Sequence, residues 1–110
     1  MNDRNKAIRW KTTRRADKDI EEIATYTESM WGHTQRRRYL ALIEKCFDDV
    51  VKKPLAGKDF GYLRSGYRRE SAGEHYVFYR LTSDNIIEII RVIHQRRDVI
   101  RRLLEDEDGY

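Results

Sequence analysis

The stretch that decides the fold is "EHYVFYRLTSDNIIEIIRVIH", residues 74–94. Two runs rich in β-branched and aromatic residues, 74–82 and 86–94, flank the polar cluster "SDN". Such runs are typical of strands, and a short polar turn between them predicts an antiparallel hairpin. The segment "YRRES", residues 67–71, precedes them across a second short turn. The sequence therefore predicts an antiparallel meander of three strands.

Upstream of these strands, apolar residues recur at helical spacing in two segments. The first runs from Ala16 to Trp31, with Thr13 placed to cap its start and Gly32 to end it. The second stripe runs from Tyr39 to Val50, and Thr34 is its predicted cap. Because the link between the two segments is short, they are predicted to form an antiparallel helical hairpin.

The remaining segments complete the order of elements. Residues 7–12, "AIRWKT", alternate apolar and basic side chains as a half-buried strand does, and residues 96–104 place Val99 and Leu103 on one helical face. Residues 54–66 hold the only proline and read as the main loop. The predicted fold is α+β, in the order β-α-α-β-β-β-α, with the helical hairpin packed on a small antiparallel sheet. The other sheet face is expected to be only partly covered, so that arginines line an open concave surface.

The composition indicates one domain with a basic second half. The chain has 110 residues, 39% hydrophobic and 38% charged, with a formal charge of +4. Residues 1–104 are predicted to form the domain and residues 105–110 an acidic tail. The four acids of "EDEDGY" leave +8 (4 plus 4) on the rest. After Lys58 the chain uses arginine and no lysine, and arginine binds carboxylates and phosphates bidentately. This half is predicted to meet acidic groups.

Several function classes are disfavoured by the sequence. No window approaches the roughly 18 apolar residues of a membrane span, so the protein is expected in the cytoplasm without membrane contact. The three histidines are far apart and Cys46 is the only cysteine, so no metal is expected. Cys46 instead falls on an apolar helical stripe and is predicted to be a core residue. No phosphate-binding glycine loop or serine elbow occurs, and no cofactor is expected.

An acid–base ribonuclease stays open from the residues alone. Attack by a ribose 2′-hydroxyl needs a base, an acid and a cationic clamp on the phosphate. His75 and His94, at predicted strand ends, are candidate bases, and a structural hydrogen bond is the competing interpretation for each. The candidate clamp residues are the strand arginines Arg68, Arg69, Arg80 and Arg91.

The order of these residues resembles the ParE-type toxins of type II toxin–antitoxin systems, within the larger ParE and RelE toxin superfamily. The resemblance covers roughly residues 8–104 and implies the fold described above. The matching residues are Trp31 with Gly32, Pro54 with Gly57, Leu63 and Arg64 with Gly66, Gly73 and His75 before "FYR" at Phe78–Arg80, and "RVIHQRRD" at Arg91–Asp98.

The resemblance also implies a function. A ParE-type toxin is neutralised by a ParD-like antitoxin in a hetero-oligomeric complex, poisons DNA gyrase and so blocks replication. It is not itself an enzyme, and it meets operator DNA only through the antitoxin. The RelE-type alternative is a ribosome-dependent mRNA endonuclease, whose catalytic set here would be His94, Arg91, Arg80 and Arg68. The lack of lysine in the sheet and of an evident catalytic tyrosine in the terminal helix favours gyrase poisoning.

Two sets of contact residues are predicted on this basis. The apolar rim of the hairpin and the arginines of the sheet are expected to bind the antitoxin, through Trp31, Arg68, Arg80 and Arg91. Charge and terminal position point to a gyrase contact through Arg96, Arg97, Arg101 and Arg102.

Overall fold

The computed structural model describes residues 7–105, and the predicted tail beyond Glu105 lies outside the described residues. Among the described residues no helix is long and apolar enough to cross a membrane. Glu105, assigned to the tail from sequence, is the last residue of the terminal helix. The elements are β1 Trp10–Thr12, α1 Arg14–Trp31, α2 His33–Lys52, β2 Lys58–Asp59, β3 Arg68–Ala72, β4 His75–Leu81, β5 Ile87–His94 and α3 Val99–Glu105.

One five-stranded sheet forms, in the order β1-β5-β4-β3-β2. Strands β3, β4 and β5 are the predicted antiparallel meander, which confirms the central part of the fold. Two pairings differ from the sequence prediction. Strand β1 pairs in parallel with β5, so the sheet is not wholly antiparallel. The predicted loop also contains β2, a two-residue strand antiparallel to β3. Because Lys11 lies in β1 and Lys58 in β2, the expectation of a sheet without lysine is wrong.

The helical hairpin has one predicted cap and one unpredicted start. The amide of Ala16 donates to Thr13 Oγ1 at 3.0 Å, as expected of an N-cap. Gly32, at φ +94°, ends α1, and α2 begins at the very next residue without a side-chain cap. The predicted capping role of Thr34 is therefore wrong, because the helix starts before it. Glycine suits this junction because an L side chain rarely adopts a positive φ.

The hairpin packs on one face of the sheet and builds the main core. Ile43, Phe47 and Val50 of α2 lie against Val77 and Tyr79 of β4. Cys46 is buried in the same layer, as predicted, and burial raises the pKa of its thiol to about 11.

Tyr79 also fixes the start of the main loop. Its hydroxyl donates to the carbonyl of Pro54 at 3.0 Å and accepts from the amide of Gly57 at 3.1 Å. A Cβ at Gly57 would lie only 2.3 Å from this hydroxyl oxygen, so the close approach of the loop requires glycine.

The opposite face of the sheet carries a second, smaller core. Phe78 and Ile93 are covered by Phe60 from the main loop, by Tyr67 directly before β3 and by Leu103 from α3. The expectation of an open concave surface lined by arginines is therefore wrong. Aromatic residues that had no clear period in the sequence close most of this face.

A buried ion pair joins α1, β5 and α3. Arg91 is only 2% exposed, and its guanidinium donates to both carboxylate oxygens of Asp19, at 2.7 and 3.0 Å, and to the carbonyl of Arg102 at 2.6 Å. Asp19 also accepts from the amide of Val92 at 2.9 Å, on the stretch of β5 beyond its pairing with β1. Arg91 therefore lacks the surface exposure expected from the sequence.

Replacing Asp19 by asparagine leaves the buried guanidinium of Arg91 without its counter-charge. We expect Asp19→Asn to lower the free energy of unfolding by about 3 to 5 kcal/mol, measured by urea denaturation. The matched control is Asp49→Asn, which breaks the exposed Lys45–Asp49 pair and should cost less than about 1 kcal/mol. Equal losses in the two variants would show that the buried pair has no special role.

Candidate functional site

An open groove of about 890 Å³ lies between α1, along most of its length, the start of α2, the β3–β4 turn, the end of β5 and α3. Its aromatic wall includes Tyr26 and Trp31, whose side chains are 62% and 69% exposed, and the more buried Tyr39. Exposed aromatic side chains grouped in a concavity are typical of protein-binding sites.

The charged side of the groove is predominantly basic. Asp19 and Arg91 lie at the groove but neutralise each other. The other charged groove residues are Arg15, Arg96, Arg97 and Arg102, opposed by Glu22 and Glu74. This excess of guanidinium groups beside aromatic rings favours an acidic partner with an apolar face.

Four groove residues, Tyr39, Glu74, His75 and His94, form a hydrogen-bonded group that we call the histidine cluster. Tyr39 Oη and His75 Nδ1 share a hydrogen bond of 2.6 Å, and the Tyr39 hydroxyl accepts from the amide of Glu74 at 2.8 Å. His94 Nδ1 accepts from the amide of Arg96 at 3.0 Å, which directs its Nε2 towards Glu74 Oε1 at 3.3 Å. The two imidazole rings meet edge to face with centres 5.1 Å apart.

The pKa of His75 indicates a structural role for this residue. Burial, the larger cause, and neighbouring His94 lower the pKa of His75 to about 4. The ring is therefore neutral at pH 7. Burial also raises the pKa of Tyr39, so its hydroxyl stays protonated. An imidazole with so low a pKa is a weak general base.

The residues predicted to bind the antitoxin do not share one surface. Trp31 lies in the groove, and Arg91 is buried behind it. Arg68 faces Tyr79 across β3 and β4, on the hairpin side, and donates to the carbonyl of Gly57 at 2.9 Å. Arg80, the next residue along β4, lies on the other face and pairs with Glu88 at 2.8 Å. The residues of the alternative ribonuclease set are also separated. Of these four residues, only His94 and the buried Arg91 line the groove.

The arginines predicted to contact gyrase fall mostly in the groove. Arg96, Arg97 and Arg102 line it, while Arg101 is exposed outside it, 3.8 Å from Asp98. The structure thus brings Trp31 together with three arginines that are predicted from the sequence to form a separate site. Tyr26, which lies off the apolar stripe, is not among the predicted site residues, and Tyr39 is predicted only as a core residue. Within residues 7–105 no group of three His, Cys, Asp or Glu side chains is placed to hold a metal ion.

Solved structures from toxin–antitoxin systems share this architecture. A chain of the chromosomal ParDE system from P. aeruginosa matches with a TM-score of 0.68 and 17% identity, covering 80% of this chain and 96% of that one. A chain of the toxin–antitoxin complex RelBE2 from Mycobacterium tuberculosis matches with a TM-score of 0.62 and 22% identity, covering 86% and 98%. This chain therefore shares its fold with a chain from each of these two systems.

Sequence relatives define the family. The family described as the ParE toxin of the type II toxin–antitoxin system parDE matches residues 10–99. Toxin ParE1 of Mycobacterium tuberculosis is 40% identical over 88 residues, 80% of this chain and 90% of that protein. Toxin ParE1 of Caulobacter vibrioides is 38% identical over 86 residues, 78% of this chain and 88% of that protein. The chain belongs to the ParE toxin family, which confirms the predicted family and fold class.

Stability should depend on the protonation of His75. Because its pKa is about 4 in the folded chain and near 6.5 when unfolded, the unfolded state binds the additional proton between these values. The contribution of neutral His75 to the free energy of unfolding is complete above pH 6.5 and is lost as the pH falls towards 4. We expect His75→Gln to reduce the loss of unfolding free energy across this range by roughly 1 to 3 kcal/mol.

The measurement is urea denaturation of both proteins at a series of pH values. His33→Gln, at an exposed histidine at the start of α2, is the matched control for loss of an imidazole. A wild-type pH profile that persists unchanged in His75→Gln would contradict the assignment.

Proposed function

We propose that this ParE-family chain acts in the cytoplasm as the toxin of a two-gene system, poisons DNA gyrase, and is neutralised by a ParD-like antitoxin at the groove. The observation that carries the proposal is that one concavity holds both exposed Trp31 and the arginines of the β5–α3 region. A site of this kind has apolar area for affinity and positive charge for selection of an acidic partner.

The antitoxin segment proposed for this groove is an amphipathic helix with acidic residues on one side. Its apolar face would pack on Tyr26 and Trp31, and its carboxylates would pair with Arg96 and Arg97, which are exposed. Docking of an amphipathic helix in a groove is a common way for a segment to fold on its partner. Arg91 is excluded from direct contact because its donors serve Asp19 and the Arg102 carbonyl. Arg68 and Arg80, each engaged within the chain, are proposed only as outlying contacts.

Gyrase is proposed to meet the same arginines. Arg96, Arg97 and Arg102 line the groove, and Arg101 lies on the outer side of α3. An antitoxin helix in the groove would cover the first three and so compete with gyrase. Neutralisation would then follow from occlusion of the contact surface, and operator DNA would be bound through the antitoxin.

Bond cleavage by the toxin itself is not part of the proposal. The alternative endonuclease needs a cationic clamp and a base within reach of one phosphate. Arg68 and Arg80 lie on opposite faces of the sheet, and Arg91 is buried in an ion pair. His94 is held between the amide of Arg96 and the carboxylate of Glu74. This dispersal favours a non-catalytic poison.

Trp31→Ala tests the antitoxin site. We expect it to weaken binding of the antitoxin encoded beside this chain by about thirtyfold, as for an aromatic hot spot worth some 2 kcal/mol, measured by titration calorimetry. Because the ring is 69% exposed, the melting temperature should hardly change. Leu55→Ala is the control, since Leu55 is 56% exposed and outside the groove. Equal weakening in both variants would place the antitoxin elsewhere.

Gyrase poisoning has its own test. The purified full chain should inhibit supercoiling and accumulate cleaved DNA, while messenger RNA stays intact in induced cells. Removing the charges of Arg96 and Arg97 by glutamine substitution should weaken inhibition at least about tenfold. The matched control replaces Arg37 and Arg38, which are exposed on α2, by glutamine. Ribosome-dependent RNA cuts with unaffected supercoiling would replace this proposal with the endonuclease.

A further inference from the structure

A second cluster of aromatic and basic side chains lies outside the groove, at the β2–β3 end of the sheet. It consists of Lys58, Phe60, Tyr62, Arg69 and Tyr76, and we call it the aromatic–arginine patch. The guanidinium carbon of Arg69 is 3.9 Å from the ring centre of Tyr76 and 5.0 Å from that of Phe60. Phe60 in turn stacks on Tyr62, with ring centres 5.6 Å apart and planes inclined by 28°. Arg69 therefore lies over the rings of both Tyr76 and Phe60, and Phe60 links it to Tyr62.

Arg69 is held by ring contacts and not by an acid. Within the part of the chain that the structure describes, its guanidinium makes no hydrogen bond and no ion pair. The contact with the two rings fixes the position of the guanidinium group. Its N–H donors are therefore held in place and available to an external acceptor. A guanidinium binds a phosphate or a carboxylate through two parallel hydrogen bonds.

Lys58 increases the positive charge at the same place. It stands directly opposite Arg69 in the β2–β3 register, so both side chains leave the same face of the sheet. Like charges directly opposite each other destabilise a sheet, and an anion between them would offset the repulsion. The neighbouring carboxylate of Asp59 does not do this. Asp59 pairs in register with Arg68 on the other face and accepts from the amide of Gly61 at 2.7 Å.

Tyr62 supplies the feature that separates a nucleic acid from an acidic peptide. Its side chain is 77% exposed, and one face of its ring packs on Phe60. The other face can accept a planar group. Fixed cations beside an open aromatic face are the two elements of single-strand binding, in which phosphates meet the cations and bases stack on the rings. A peptide carboxylate would use only the cations.

We propose that the aromatic–arginine patch binds single-stranded DNA, with a phosphate bridging Lys58 and Arg69 and a base stacked on Tyr62. The strand is named as DNA because the proposed target, gyrase, acts on DNA, and in that choice alone the inference rests on the proposed function. The site goes beyond the proposed function, since it uses no residue of the groove. It would let the toxin hold an unpaired DNA strand while the groove is engaged with a protein.

The test is fluorescence anisotropy of a labelled oligothymidylate of about 12 nucleotides, titrated with the full chain at several salt concentrations. Arg69→Gln should weaken binding about tenfold and reduce the slope of log affinity against log salt by about 1. Tyr62→Leu should weaken it about fivefold or more without changing that slope. Arg38→Gln, which removes the same charge from α2, should leave the affinity unchanged.

Three results would overturn the inference. Equal effects of Arg38→Gln and Arg69→Gln would mean that net charge alone attracts the strand. An unaltered affinity in Tyr62→Leu would show that no base stacks on this ring. Tighter binding of an oligouridylate of equal length would reassign the site to RNA. A chain that inhibits gyrase normally but fails these binding tests would keep the groove proposal and lose only this one.

Discussion

The buried ion pair between Asp19 and Arg91 is the constraint on which the arrangement of this molecule depends. Burial of two opposite charges is favourable only when their remaining donors and acceptors are also satisfied. Here the backbone completes the set, because Asp19 accepts from the Val92 amide and Arg91 donates to the Arg102 carbonyl. Three separate elements, α1, β5 and α3, must therefore meet at fixed distances. Since the same elements form walls of the groove, the pair that joins them also sets the shape of the groove.

The sequence was sufficient for the elements that have a clear period. The two helices, the three-stranded meander and α3 were all predicted, because side-chain periodicity and the Thr13 cap are local signals. The partner of β1 was not predictable, since alternation identifies a strand without naming its neighbour. The strand at Lys58–Asp59 has only two residues and no period at all. The second core was not predicted either, because Phe60 comes from an irregular loop, Tyr67 comes from a short predicted strand, and both gain their role only in the tertiary fold.

The candidate site was predicted in parts. Trp31 and the arginines after β5 were identified, but as two sites, because residues distant in the chain show no proximity in its sequence. Arg91 is predicted as a surface residue, although the sequence contains a signal of its burial. Asp19 lies three residues after Ala16 and four before Ile23, on the apolar stripe of α1, and Arg91 interrupts an apolar strand. An acid and a base, each inside a buried pattern, are candidates to pair. The lowered pKa of His75, by contrast, follows from its surroundings and has no sequence signal.

The one-residue junction at Gly32 gives the tryptophan beside it an unusual combination of rigidity and exposure. The amide of Gly32 donates to the Glu28 carbonyl, and its own carbonyl accepts from the Arg36 amide, so the backbone on both sides is held by helical hydrogen bonds. The indole is thus presented to solvent from a preorganised backbone, and capture of it by another protein costs rotamer entropy but little main-chain entropy. The same geometry leaves an apolar ring in contact with water on the free chain, so its burial by another protein is favourable.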